Sequence, residues 1–161
     1  MLYKHRRLFE TKPPSTNTQD MFYTERLCFR GFTDDDKDKV VGMVTDPRIA
    51  PNFTRRFRRP AKPDLGDNLK QHFLSSIWAA VVVTREGNDF VGILTLGMPP
   101  DTPNRNGELA ICIAPDHWSK GYGGEMLKLL LSHAFMELGL NKVWLEVVDD
   151  NTSAISLYKK W

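Results

Sequence analysis

The stretch Ile111-Cys112-Ile113-Ala114-Pro115-Asp116-His117-Trp118-Ser119-Lys120-Gly121-Tyr122-Gly123-Gly124-Glu125 decides how this chain reads. It starts as an apolar strand, which Pro115 ends, and enters a helix through a Gly-rich turn at 121–124. In that helix Met126, Leu127, Leu130, Leu131, Ala134, Phe135 and Leu138 recur at helical spacing, and Gly139 stands where a C′ glycine belongs. A strand that feeds a helix through glycines brings unpaired backbone N–H groups and the positive end of the helix dipole to one point, which suits a phosphate. Gly121, Gly123 and Gly124 admit a ligand close to the backbone, and Lys120 adds a point charge. Two phosphate motifs fail on spacing. There is no G-x-x-x-x-G-K-[ST], and Gly121-Tyr122-Gly123 lacks the third glycine of a dinucleotide fingerprint. A glycine-rich helix entry with a structural purpose alone is the alternative.

Working outward, the strand at Glu108–Ala114 and an apolar strand at Lys142–Val148 flank the helix, so the two must lie parallel across a helical crossover. Asp150 or Asn151 caps a last helix that ends at Trp161. Upstream, residues 77–84 and Phe90–Leu96 are β-branched and apolar around the turn at 85–89, which predicts a β-hairpin. Tyr23 to Phe32 alternates as one strand with Leu27 and Phe29 on the same face. Thr33 and Asp36 have the spacing of an N-cap and its N3 acid, and Val40, Val41 and Val44 carry that helix to Asp46-Pro47. Asp64 or Asp67 caps a second helix with Leu69, Phe73 and Leu74. Between Pro47 and Pro63 runs a basic loop with a helical turn, holding Arg55, Arg56, Arg58, Arg59 and Lys62 around Phe53 and Phe57. Residues 97–107 form another loop, rich in proline and glycine. The expected fold is an α/β (α+β) domain over 21–161 with a mixed sheet flanked by helices, preceded by a flexible arm at 1–20.

Composition narrows the function. The chain has 161 residues, 41% hydrophobic and 26% charged, which fits one folded domain. A net charge of +2 does not call for nucleic acid as a direct partner. The apolar run Ile77–Val83 is about a third of the roughly 20 residues that a membrane helix needs. Cys28 and Cys112 each sit inside an apolar run, which predicts reduced thiols, no zinc or other metal site and a cytoplasmic location.

The same stretch resembles the acyl-CoA motif of the GNAT N-acetyltransferase superfamily, Q/R-x-x-G-x-G/A, with Gly121 and Gly123 on its glycines and Trp118 where most members have Gln or Arg. Trp118-Ser119-Lys120-Gly121-Tyr122 and Thr24-Glu25-Arg26-Leu27-Cys28-Phe29-Arg30 are similar to the branch that acetylates ribosomal-protein N-termini. Asn151-Thr152-Ser153-Ala154-Ile155-Ser156-Leu157-Tyr158-Lys159-Lys160 is similar to the superfamily's N-x-x-A-I-x-L-Y-x-K helix.

The resemblance implies an N-acetyltransferase with acetyl-CoA as cosubstrate. The acceptor amine, a protein N-terminus or a small molecule, attacks the thioester directly in a ternary complex. Backbone amides at Ser119–Gly124 would hold the pyrophosphate, and a bulged strand near Ile111, Cys112 and Ile113 would pair with the pantetheine arm beside a splayed Lys142–Val148. Tyr158 would give the departing thiolate its proton, unless it is a buried Tyr packing on the sheet. Asn151 would touch the cofactor arm or serve as an N-cap. Glu108 is the first choice for a general base and Glu146 the second, with a solvated strand-end Glu as the alternative for Glu108. His117 reads as a surface residue and Cys112 as a core thiol.

The Arg55–Lys62 cluster stands where the superfamily builds its acceptor site, although a solvated basic loop accounts for it as well. Members continue past the tyrosine through a Gly-Phe pair into further strands, whereas this sequence ends at Trp161. The expectation is therefore a domain lacking its C-terminal strands, with three readings open: a fragment or truncated product, an edge covered by a partner chain such as a second copy, or a loss of full activity. A catalytically silent acyl-CoA-binding or protein-interaction module is the competing reading.

Overall fold

The computed structural model describes residues 21–53, 62–97 and 105–161. The arm at 1–20, the arginines of the basic loop and most of the loop at 97–107 lie outside them.

Six strands form one sheet in chain order: β1 (Phe22–Tyr23), β2 (Leu27–Arg30), β3 (Trp78–Thr84), β4 (Phe90–Gly97), β5 (Asn106–Ile113) and β6 (Lys142–Trp144). Neighbours are antiparallel except β5 and β6, which run parallel as the crossover requires. The helices are α1 (Lys37–Thr45), α2 (Ala50–Phe53), α3 (Leu65–Ser75), α4 (Tyr122–Met136) and α5 (Thr152–Tyr158). Gly139 closes α4 in the left-handed region at φ +62°, where Leu140 N–H returns to Ala134 O.

Alternation along the strands gives the sheet two buried faces. On one, Leu27, Phe29, Ala80, Val82, Leu94, Leu96 and Leu109 meet Met126, Leu127, Leu130 and Ala134 of α4, with Leu157 and Tyr158 of α5 at the margin. On the other, Cys112 packs with Val40, Met43 and Val44 of α1, while Cys28, Val81 and Val83 cover Phe73 of α3. Asp36 is fully buried where β2 passes into α1. Its carboxylate accepts both guanidinium arms of Arg30, at 2.7 and 2.8 Å, and the Thr33 N–H and hydroxyl, at 2.9 and 2.8 Å. Burial alone would raise Asp36, but these donors outweigh it and hold the carboxyl below its ordinary range.

Three sequence expectations change. The single strand over Tyr23–Phe32 is two, because Thr24 N–H bonds back to Leu27 O at 2.9 Å and turns the chain at 24–26. The strand at Lys142–Val148 stops pairing after Trp144. The bulge expected in Glu108–Ala114 is absent: Glu108 to Ile113 face Gly97 to Gly92 one for one and Ala114 N–H extends to Val91 O, so no residue is left over. A register shift sits instead between Val82 and Val83.

Candidate active site

Ala114 donates its N–H to Val91 O at 2.8 Å, which fixes the polarity of β5. Even-numbered residues of the strand point their backbone groups at β4, and Gly107, Leu109, Ile111 and Ile113 point theirs the other way. Asn141 N–H bonded to Arg105 O at 2.9 Å agrees. β6 meets this second edge only through Asn106↔Lys142, Gly107↔Val143 and Glu108↔Trp144. From Leu109 onward no backbone hydrogen bond joins β5 to the chain after Trp144, and this gap in the pairing leaves the backbone of Leu109 and Ile111 and the N–H of Ile113 free along the edge. The family resemblance implied a splay beside Lys142–Val148, and the pairing is lost there after Trp144. Ile113 O is already taken, because the Trp118 indole N–H donates to it at 2.7 Å. Cys112 does not share the edge: its backbone faces β4, its thiol is buried, and burial pushes that thiol up to about 12.

At the end of the gap the chain makes a 3₁₀ turn at Pro115–His117 and reaches α4 through two left-handed residues, Ser119 at φ +60° and Gly121 at φ +80°. A serine in that region costs about 1–3 kcal/mol, and such strain clusters at ligand sites. Among the described residues the N–H groups of Ser119, Lys120 and Gly121 enter no backbone hydrogen bond, and Tyr122, Gly123 and Gly124 contribute the unpaired donors of the first helical turn. These donors suit the pyrophosphate of a nucleotide cofactor, as the open edge suits an extended arm.

The glycines divide their work. Gly121 supplies conformation. A Cβ on Gly123 would stand 3.0 Å from Leu157 and 3.5 Å from Ile113, so its smallness lets α5 and β5 approach α4. Lys120 is exposed beside the turn.

Tyr158, near the end of α5, is half-buried against the larger core. Burial, with a further contribution from the Cys112 thiol, raises its phenol above the usual range, so it is protonated at neutral pH. Asn151 caps α5, its side-chain oxygen accepting from Ala154 N–H at 3.1 Å. Glu108 is exposed at the last rung before the gap. It shares a sheet face with Cys112, four residues on, or about 13 Å along the strand. Glu146 is exposed beyond β6. His117 is half-buried, not at the surface as expected, with a buried Nδ1 that has no hydrogen-bond partner among the described residues and a ring 5.9 Å from that of Tyr122.

Sequence reasoning assigned no role to Thr24, Arg26 or Glu125, which meet beneath the turn. Glu125, in the first turn of α4, accepts from the Thr24 hydroxyl and from Arg26 N–H (3.0 Å) on one oxygen and from Arg26 Nε (2.9 Å) on the other. Burial would raise this carboxyl, but the Thr24 and Arg26 donors prevail and lower it. The signal was present in the quoted Thr24-Glu25-Arg26-Leu27, but a continuous strand there hid the turn that aims those side chains.

A cavity of about 410 Å³ lies elsewhere, lined by Phe22, Phe29, Arg30, Gly31, Trp78, Ala79 and Ala80. Among the described residues no three His, Cys, Asp or Glu gather as a metal site, and no helix is long and apolar enough to cross a membrane.

A sequence model of the family described as "Acetyltransferase (GNAT) domain" matches residues 26–161. The uncharacterized N-acetyltransferase YoaA of Bacillus subtilis is 32% identical over 143 residues, 85% of this chain and 78% of that protein. The crystal structure of spermidine N-acetyltransferase from Vibrio cholerae in complex with CoA and spermine superimposes with a TM-score of 0.70 at 23% identity, over 85% of this chain and 80% of that one. A putative ribosomal-protein-serine acetyltransferase from Vibrio cholerae superimposes with a TM-score of 0.66 at 19% identity, over 88% and 81%.

Proposed function

Because this chain belongs to the GNAT acetyltransferase family, whose enzymes take acetyl-CoA as cosubstrate, we propose that it acetylates a protein N-terminal amine by direct attack within a ternary complex. The observation that carries this reading is a turn of free N–H groups from which an unpaired strand edge leads. Backbone donors at Ser119–Gly124 bind the pyrophosphate. Leu109, Ile111 and the Ile113 N–H hold the pantetheine arm as an added strand, which orients the thioester without side-chain chemistry.

The acceptor nitrogen forms its bond to the acetyl carbon as the carbon–sulfur bond breaks. Tyr158 delivers its proton to the sulfur, a role that suits a phenol kept neutral by burial. Glu108, exposed at the last paired rung, takes the proton that the ammonium sheds by way of water. Cys112, buried and held as a thiol, is unsuited to an acyl-enzyme, which supports direct attack. The protein N-terminus as acceptor rests on the similarity of Thr24–Arg30 and Trp118–Tyr122 to the ribosomal-protein branch. A small polyamine is the second reading, favoured by the likeness to spermidine N-acetyltransferase.

Initial rates of CoA release with peptides bearing free N-termini and with spermidine separate the two acceptors. Direct attack predicts intersecting double-reciprocal lines. Parallel lines would contradict it, and equal rates with and without any amine would contradict acetyl transfer to amines.

A further inference from the structure

Arg26, nearly a hundred residues away in sequence, shapes the phosphate turn. This argument rests on the pyrophosphate seat proposed above. From the turn between β1 and β2, the Arg26 guanidinium donates Nη1 to Lys120 O at 2.8 Å and Nε to Glu125 Oε2 at 2.9 Å, with Nη2 2.8 Å from the same carboxylate oxygen. Its plane lies over the Tyr122 ring, 4.7 Å from the centroid, and a Cβ on Gly121 would stand 3.4 Å from Nη2. One side chain therefore touches the turn before, at and after Gly121.

Two consequences follow from elementary chemistry. The peptide joining Lys120 to Gly121 is trans, as no cis bond occurs among the described residues, so a Lys120 carbonyl held toward Arg26 turns the Gly121 N–H the opposite way. The Gly121 N–H so turned enters no backbone hydrogen bond among the described residues, which leaves it to an anion. Second, Glu125 puts a negative charge in the first turn of the helix meant to receive a pyrophosphate, and the paired guanidinium cancels it where it would otherwise repel the ligand. Thr24 and the Arg26 N–H engage the other carboxylate oxygen, so both oxygens of the acid are paired.

We propose that Arg26 is a positioning residue for acetyl-CoA, acting through the Lys120 carbonyl and Glu125 to orient the Gly121 N–H and neutralise the anion site. An ammonium cannot fork between a carbonyl and a carboxylate as a guanidinium does, so Arg26→Lys restores charge without geometry.

The test is calorimetric titration of the full chain with CoA, for the parent, Arg26→Ala, Arg26→Lys, Glu125→Ala and the Arg26→Ala/Glu125→Ala pair, each first checked for folding by circular dichroism and thermal unfolding. The expected result is a Kd weakened about tenfold or more by Arg26→Ala, partly recovered by Arg26→Lys. The double variant should be no weaker than Arg26→Ala, because removing Glu125 also removes the exposed repulsion. A folded Arg26→Ala that binds CoA within about twofold of the parent would overturn the proposal, as would full additivity in the pair. A merely structural Arg26 would lower the unfolding temperature and leave Kd alone. Should Arg26→Ala not fold, Arg26→Lys decides on the same twofold criterion. A parent that binds no CoA would overturn the pyrophosphate seat and this inference with it, whereas a parent that binds beside unaffected variants overturns this inference alone.

Discussion

Gly121→Ala isolates the strain that the phosphate turn depends on. Gly121 has φ +80°, where a Cβ costs an L-residue about 1–2 kcal/mol. The added methyl would meet only Arg26 Nη2, at 3.4 Å on a flexible side chain, so conformation and not collision dominates the penalty. Gly42 is the internal control. It lies exposed within α1 with nothing within 4 Å of its would-be Cβ, and alanine there gains about 0.5–1 kcal/mol by restricting the unfolded chain. For a domain of this length about 1 kcal/mol moves Tm by about 2–4 °C. Gly121→Ala should therefore lower Tm by about 2–8 °C, and Gly42→Ala should raise it by about 1–4 °C. Scanning calorimetry of both variants, with CoA titration of each, reads the sign and its link to the site. CoA affinity should fall for Gly121→Ala and stay unchanged for Gly42→Ala. A Gly121→Ala protein as stable as its parent, or two variants shifted in the same direction, would show that the left-handed backbone at Gly121 carries no such penalty.

Stability should also depend on acid in a stated window. Asp36 and Glu125 have folded-state values below their unfolded ones, so their contributions are complete above the ordinary carboxylate range and are lost as pH falls through the depressed values. The urea midpoint should be level from about pH 7 to about pH 5 and drop below about pH 4, less steeply in Asp36→Asn; a level midpoint down to about pH 3 would contradict this. Iodoacetamide near pH 8 should leave native Cys112 and Cys28 unmodified, since burial raises both thiols, and should label both after unfolding; a Cys112 adduct on folded protein, seen by peptide mass, would contradict the buried thiol.

Local signals carried most of the fold. The hairpin of β3 and β4, the α4 stripe from Met126 to Ala134 and its glycine stop are each specified by neighbours in sequence, and each stands where periodicity put it. Boundaries that depend on a partner strand were less legible. Lys142–Val148 is mostly apolar, and nothing in those residues says that β5 stops pairing after Trp144; the length of a ladder belongs to two strands at once. The Thr24–Arg26 turn was hidden because Tyr23 and Leu27 to Phe29 on either side read as strand, and the break is made by hydrogen bonds between Thr24 and Leu27.

At the turn, the left-handed Gly121 stands where the glycine-rich stretch put it. The reason for Gly123 was not legible, because it lies in the packing of Leu157 from a helix thirty-odd residues away. The Arg26–Glu125 clamp is likewise a contact between distant segments, invisible to any local window.

The proposed proton donation by Tyr158 to the departing thiolate is measured by kcat of Tyr158→Phe set beside its calorimetric Kd for acetyl-CoA. That role gives a fall in kcat of about 10²–10⁴-fold with Kd held within about twofold. An undiminished kcat in the phenylalanine variant would contradict it.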